Sequence, residues 1–484
     1  MSKYFPVIGL EIHCQLATRT KMFCSCEVEV NTSPNKHVCP VCLGMPGAMP
    51  VPNKKAVEYA IRLGLALNCE IDLNAMWTRK NYFYPDLPKG YQITQTGGLP
   101  VYDHPICKNG WLEVTLDDGS VKRVGITRIH MEEDAGKLVH DLSPEGSHFD
   151  ANRCGTPLCE IVTEPDIRSP QEAVLVLQKI KQILEYTEVS NANMENGNMR
   201  CDGNISLRAS EDAPFGTRAE IKNLNSFTNL EKALEVEILL QTLTLDANKE
   251  VEQCTKRFDV NNNKTIVIRS KEDAHDYKYF PEPDMVRLVT DPKFVESIKN
   301  SLPELPDARR ERFVNDYQIT AYDAQVLTME RDVSVWFDTA AKQCKNPKIL
   351  ANWVISELLR EVKDLENGLS DVKIMPEHLA ALVNLIEDNT ISGKIAKQVF
   401  ADMFVTGKAP DVIVKEKGLV QITDTSAIES IVSEVVQANQ GQFDEFKAGK
   451  VALKGFFVGQ VMKKSGGKAN PGLVNQILDK MAAQ

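Results

Sequence analysis

The sequence has no long apolar run. Nowhere do about 18 consecutive apolar residues occur, so no transmembrane helix is expected. The opening stretch MSKYFPVIGLEIHCQL is broken by Glu11 and His13 before it reaches the length of a signal core, so no export signal is expected either. There is no surplus of basic charge: 56 Lys+Arg stand against 67 Asp+Glu, a net charge of −11. A global field that would draw in nucleic acid is thereby excluded, and any RNA contact must come from a local patch. No G-x-x-x-x-G-K-[ST] occurs, because none of the Gly-Lys pairs, such as Gly393-Lys394 or Gly467-Lys468, is followed by Ser or Thr. No G-x-S-x-G occurs, which removes the α/β-hydrolase nucleophile turn. Internal repeats and low-complexity tracts are absent too. What is there is an ordinary globular mixture, 43% hydrophobic and 25% charged, over 484 residues. At about 150 residues per domain, that length suggests three domains, able to bury a core without disulfide staples.

Ten of the 12 cysteines lie between Cys14 and Cys201. In a chain expected to stay in a reducing cytosol these are thiols or metal ligands. Over residues 1–290, short runs such as TRIHM, TPLCEIV, NISLR and TRAEIKNL alternate apolar and polar residues between Gly/Pro/Asn loops, the period of half-buried strands. One helix is clear there: Ser169-Pro170-Gln171-Glu172 is a capping box with proline at the first helical position, followed by Val174, Leu177, Ile180 and Leu184 on one face. This half reads as α+β with a largely antiparallel sheet. Prolines 281, 283, 292, 303 and 306 then punctuate the chain, and beyond Asp307 the strand patterns give way to helical runs at Ala308–Asn315, Ala321–Met329, Ser334–Cys344, Ile349–Lys363, Glu377–Asp388 and Gly393–Val405. Gly407 and Pro410 mark a further boundary. The expected domains are residues 1–290, an all-α domain at 291–406 and a small α-helical module at 407–484.

Cys24-Ser25-Cys26 and Cys39-Pro40-Val41-Cys42 form C-x-C-x12-C-x2-C, two close pairs that each span an edge of a tetrahedron and together suit structural zinc. Four incidental buried thiols are the alternative. Elsewhere, charge sits where core strands should be apolar. Glu11 and His13, two apart, share one face of IGLEIH. RIHMEED offers Glu132 and Glu133. Carboxylates and imidazole converging from two strands can hold Mg²⁺; a solvated sheet face is the plainer reading. Arg153, Glu160, Arg200, Asp202, Glu220 and Lys222 follow on further polar segments. Carboxylates beside arginines are what phosphoryl transfer from a nucleotide requires, and with no P-loop such a nucleotide would lie on a sheet.

The runs VIGLEIHCQL, CPVCLGMPGAMPVPN, YFYPDLPKGYQITQ, RIHMEEDAGK, DANRCGTPLCEIVTEPDI, MRCDGNISLR, EIKNLNSF and DYKYFPEPD together resemble the B-subunit family of the aspartyl/glutamyl-tRNA amidotransferases. That resemblance implies a glutamine-synthetase-like cradle followed by a helical domain and a tail. It implies an ATP-dependent ligase that phosphorylates the side-chain carboxylate of Glu-tRNA(Gln) or Asp-tRNA(Asn). Ammonia released by the A subunit, an amidase, then displaces the phosphate, and a small C subunit completes a heterotrimer. On the family's GLE-x-H and H-x-EED runs, Glu11, His13 and Glu132 are expected as magnesium ligands with Glu133 beside them, although His13 could equally move protons. Arg153, Glu160, Arg200, Asp202, Glu220 and Lys222 are expected to line the nucleotide and aminoacyl pocket, and Cys24, Cys26, Cys39 and Cys42 to hold zinc. Tyr82–Asp86, with Lys89 and Tyr91, either stacks on the tRNA 3′ end or packs the sheet edge.

From residue 441 onward, Lys447, Lys450, Lys454, Lys463, Lys464, Lys468 and Lys480 face only three carboxylates, a local net charge of +4 that suits a phosphate backbone. Phe456 and Phe457 read as core. Two other functions fit parts of the sequence. One is a ligase acting on a free amino acid, for which the basic tail would be idle; the other is a zinc-containing RNA-binding scaffold, for which the acidic face would be solvated and inert.

Overall fold

A computed structural model describes residues 3–29, 32–96, 100–116, 118–140, 146–270, 277–420 and 424–483; Asp276 of the DYKYFPEPD run and Gln484 of the tail lie outside these. The chain divides into two compact units, Met1–Leu305 and Pro306–Gln484. The first is mixed α+β around a 12-stranded, mostly antiparallel sheet.

Strand Phe5–Gln15 runs through the middle of that sheet. Its period of two buries Ile8, Leu10, Ile12 and Cys14 in the core and turns Glu11, His13 and Gln15 to the other face. It pairs antiparallel with Met199–Arg208 on one side and Pro157–Thr163 on the other. Beyond Pro157–Thr163 come Val121–Glu133, Tyr91–Thr94, Thr78–Asn81 and Lys278–Pro281, with Cys107–Thr115 also paired to Val121–Glu133. Beyond Met199–Arg208 come Ala219–Leu224, Cys254–Asp259 and Lys264–Ser270.

Ala219–Leu224 and Cys254–Asp259 are parallel, and the connection between them is helix Phe227–Asp246, the crossover that parallel neighbours require. This helix, Lys54–Ala66 and Pro170–Tyr186 supply the apolar layer on the sheet's core face, with Leu230, Ala233 and Leu234, Ala60 and Ile61, and Val176, Leu177 and Ile180 buried. Each opens on a side-chain cap: Asn53 accepts from the Lys55 and Ala56 amides, Ser169 from Glu172 N (3.1 Å) and Ser226 from Asn229 N (3.1 Å). The Ser169-Pro170 start expected from sequence is thus present. With hydrophobic side chains committed to one face, the other is left to polar residues. Helix Pro292–Asn300 places Ile298 in the same core, so this unit extends through the proline-rich stretch to Leu305.

The second unit is built from helices: Pro306–Tyr317, Ala321–Thr328, Arg331–Ala341, Pro347–Trp353 continuing through a π-type stretch at Val354–Leu358, Pro376–Glu387 and Gly393–Thr406. The last stops where Gly407 takes the left-handed conformation (φ 71°) and returns its N–H to Met403 O (2.7 Å), a backbone shape that glycine adopts without penalty. Two separate apolar clusters form, one from Phe313 to Val414 and one from Ile428 to Leu478. In the latter Phe457 is fully buried, whereas Phe456 meets it edge-on and remains 37% exposed. Among the described residues no helix is long and apolar enough to cross a membrane.

Candidate active site

Strand register assembles the polar face. Opposite His13 stand Arg200 on one neighbour and Glu160 on the other, and opposite Glu160 stands His130, so four strands contribute one row. Cross-strand partners share a face. Glu132, two residues past His130, joins the same group. His13 Nε2 lies 3.2 Å from Glu160 Oε2 and 3.5 Å from Glu132 Oε1. His130 Nε2 lies 3.4 Å from Glu160 Oε2, and His130 is wholly buried with neither ring nitrogen in a well-aligned hydrogen bond.

Glu11 joins a second cluster in the next row. It faces Asp202 across the strand pair, and Glu220 reaches the same place from Ala219–Leu224. Asn204 Nδ2 donates to Glu11 Oε1 (2.9 Å), and the Lys222 ammonium bridges Asp202 Oδ2 (2.9 Å) and Glu220 Oε1 (2.6 Å). The structure therefore separates the trio expected from sequence. His13 and Glu132 group with Glu160, while Glu11 groups with Asp202 and Glu220, the ligand atoms of each set lying within 4.8 Å of one another.

The electrostatics follow from this crowding. Burial works against a charged His13, but its hydrogen bond to Glu160 and the charges of Glu132, Glu160 and Asp202 prevail and raise it to about 9. Burial likewise opposes ionisation of Glu160, yet the two imidazoles hold it well below the usual carboxylate range. Glu11, without such a partner, is pushed upward by burial and then by Glu160. Both sets are dense in carboxylate oxygens, and the first adds imidazole nitrogen. That is a donor chemistry suited to a hard divalent cation such as Mg²⁺.

Arg153 and Arg200 converge on a residue outside the sequence-based set. Asp134 lies 3.3 Å from Arg200 Nη2 and 3.6 Å from Arg153 Nε, and also accepts from Gln15 Nε2 (3.2 Å). Arg153 is further fixed through Nε to Ala135 O (2.9 Å). Glu133 turns away from the polar face: it is ion-paired with Lys89 and accepts from Ile93 N (3.0 Å). Tyr82 stacks edge-on with Tyr277 and Tyr91 receives the Arg79 guanidinium, whereas Phe83 and Tyr84 are 93% and 62% exposed. Lys80, also unmarked by sequence reasoning, lies under Tyr277 with Glu132 and Glu160 among the charges that hold its ammonium protonated against burial. Its short TRKN run carries no periodic signal. His130 and Asp134 were visible inside RIHMEED but not distinguishable there from their neighbours.

The four thiols of Cys24, Cys26, Cys39 and Cys42 come within 4.8 Å of one another. Cys39 N donates to Cys42 Sγ (3.2 Å) within a tight turn closed by Leu43 N to Cys39 O (3.1 Å). The neighbouring Cys24 thiol, this amide and the Lys21 ammonium favour the Cys42 thiolate, lowering it to about 4. Four sulfurs gathered in this way fit tetrahedral zinc.

In the tail, Lys450 pairs with Glu445 (2.8 Å), Lys454 with Asp479 (2.7 Å) and Lys464 with Glu434; Lys447 lies over Phe443. Lys463 and Lys468 have no ion-pair partner among the described residues.

A family described as the GatB/GatE catalytic domain matches residues 6–296, and one described as the GatB domain matches residues 335–481. The chain is 52% identical, over all of both chains, to the B subunit of the aspartyl/glutamyl-tRNA(Asn/Gln) amidotransferase of Carboxydothermus hydrogenoformans. It is 49% identical to the protein of that name from Brevibacillus brevis and 52% identical to that from Geobacter sulfurreducens, each over 99% of both chains.

Proposed function

Since the chain belongs to the B-subunit family of the aspartyl/glutamyl-tRNA(Asn/Gln) amidotransferases, glutamine-hydrolysing ligases, we propose that its polar sheet face activates the side-chain carboxylate of Glu-tRNA(Gln) or Asp-tRNA(Asn) with ATP and then accepts ammonia. The observation that carries this is the pair of acidic clusters on one face of strand Phe5–Gln15, with Arg153 and Arg200 held beside them at Asp134.

A carboxylate resists amidation because its oxygen is a poor leaving group. Transfer of the terminal phosphoryl group of ATP to a carboxylate oxygen releases ADP and leaves an acyl phosphate. Ammonia then adds at the acyl carbon, the C–O bond to phosphate breaks, inorganic phosphate departs and the nitrogen sheds a proton. Glu132 and Glu160, with His13 once it gives up the proton that their charges hold on it, would hold Mg²⁺ at one cluster, Glu11, Asp202 and Glu220 at the other, and the ions when bound would offset charge on the phosphoryl oxygens. Arg153 and Arg200 orient nucleotide phosphates, and Lys80 faces the anionic substrate from across the sheet. Lys222, now bridging Asp202 and Glu220, yields its place to the cation or turns to phosphate. The amidase, or A subunit, supplies ammonia, and the small C subunit completes the heterotrimer. The Cys24/Cys26/Cys39/Cys42 zinc is structural, and a cytosolic location suits its thiolates.

The test is ATP hydrolysis by the assembled complex with Glu-tRNA(Gln), with uncharged tRNA and with free glutamate. Stimulation by the charged tRNA alone supports the reading; equal turnover with free glutamate replaces it by an amino-acid ligase. The tail adds a separable expectation. Lys463→Glu combined with Lys468→Glu, two tail lysines without ion-pair partners among the described residues, should raise the KM for charged tRNA by about tenfold and make it less salt-sensitive, leaving the KM for ATP in place. Initial rates at two salt concentrations measure this.

A further inference from the structure

Lys21 is among the largest fully buried side chains of the protein, with 0% exposure. A buried ammonium without a countercharge is strongly disfavoured, and a partner within reach is the rule. No carboxylate pairs with Lys21 among the described residues. Its Nζ donates instead to His37 O (2.7 Å) and Ala151 O (3.3 Å), and approaches Cys42 Sγ at 3.6 Å. The Glu133 carboxylate also lies near this side chain but is paired with Lys89, so the anionic group that Lys21 Nζ contacts is the sulfur cluster. Four thiolates around Zn²⁺ carry a formal charge of −2, and a lysine at hydrogen-bond range from one sulfur offsets half of it.

The other end of the contact leads to the polar face. Ala151 opens a turn in which Cys154 N bonds to Ala151 O (3.0 Å), Met22 N to Gly155 O (2.7 Å) and Gly155 N to Asp134 O (2.9 Å). Arg153 sits in this turn and reaches Ala135 O and Asp134. Gly155 (φ +82°) packs towards the zinc knuckle: a Cβ there would lie 3.5 Å from Cys42 Cβ and 3.6 Å from Lys21 Cδ. The sulfur cluster and the Asp134–Arg153 pair are thus two sides of one short turn, and Lys21 is the charged link between them.

We propose that Lys21 is a positioning residue: it is the buried counter-cation of the tetrathiolate zinc centre, and on that anchor it holds the 151–155 turn so that Arg153 meets Asp134. This rests on the zinc reading of the four cysteines. Lys21→Met removes both charge and donor; Lys21→Gln keeps a donor for the carbonyls and removes the charge.

In the assembled enzyme, zinc transfer to a colorimetric chelator should be about tenfold or more faster in both variants than in wild type. Lys21→Met should also raise the KM for ATP several-fold, and Lys21→Gln should move it less. Should both variants fail to fold, the wild type is stripped of zinc and the amide exchange of residues 150–156 is followed, where faster exchange is expected. Zinc release from a natively folded Lys21→Met at the wild-type rate overturns the proposal, as does unchanged exchange in the stripped protein. Wild-type protein that binds no zinc overturns it by removing its premise. The amidotransferase reading survives any of these results, because charged-tRNA-dependent ATP turnover is measured independently of zinc.

Discussion

Glu132→Gln in the assembled amidotransferase should lower kcat for charged-tRNA-dependent ATP turnover by about 10²–10³-fold, while the neighbouring Glu133→Gln should leave the chemistry of the folded enzyme nearly intact. The contrast comes from strand alternation. Glu132 faces His13 and Glu160 on the polar side of the sheet, and its carboxylate charge is one of those that would hold the divalent cation. Glu133 is 2% exposed and neutralises Lys89 on the other side. Removing its charge leaves a buried ammonium unpaired, a defect that costs about 3–5 kcal/mol of stability. Thermal melts and single-turnover rates of both variants, made side by side, separate the two effects. A Glu132→Gln enzyme with wild-type kcat would show that the His13/Glu132/Glu160 cluster does not carry the phosphoryl-transfer step.

Loss of zinc should act through the fold. Cys42→Ser removes the sulfur that receives both the Cys39 amide and the Lys21 ammonium, so the purified protein should lack the single zinc ion per chain expected of wild type. The melting temperature of the Met1–Leu305 unit should fall by on the order of 10 °C, because binding free energy at a structural zinc site is folding free energy. The core behind the sheet remains, with Ile8, Leu10, Ile12, Ile161 and Ile205 untouched by the change. Secondary structure by circular dichroism should therefore persist at low temperature. Elemental analysis and calorimetry check the two halves of this expectation. Full zinc occupancy in Cys42→Ser would mean that three sulfurs and another donor suffice.

Where the sequence was legible, a local rule made it so. The Ser169-Pro170 helix start is a matter of four consecutive residues, and the structure places the cap there. The helical runs of the second half obey a period of 3.6, and each appears within a few residues of its expected limits, Arg331–Ala341 starting earliest relative to expectation. Glu11 and His13 share a face because a strand has a period of two. Cys24 and Cys26 are separated by one residue and Cys39 and Cys42 by two, close enough that chain geometry alone brings each pair together.

The site's composition was not legible in the same way. Glu160 was expected in the nucleotide pocket and stands directly against His13; Glu11 was expected with His13 and stands with Asp202 and Glu220. Arg153 and Arg200 come from distant segments and meet only because both reach Asp134.

The sequence by itself determined the elements of this protein: which stretches are strands or helices, which side chains share a face, and that ten of the 12 cysteines belong to the first half. Only the tertiary structure decided which of those residues meet. Strand register is set by burial of the whole apolar face, and a slip of one residue would exchange every inward and outward side chain, so cross-strand neighbours cannot be read from either strand alone. The same holds for Lys21, which looks like any surface lysine in sequence and becomes buried because the Cys39–Cys42 turn and the 151–155 turn close over it.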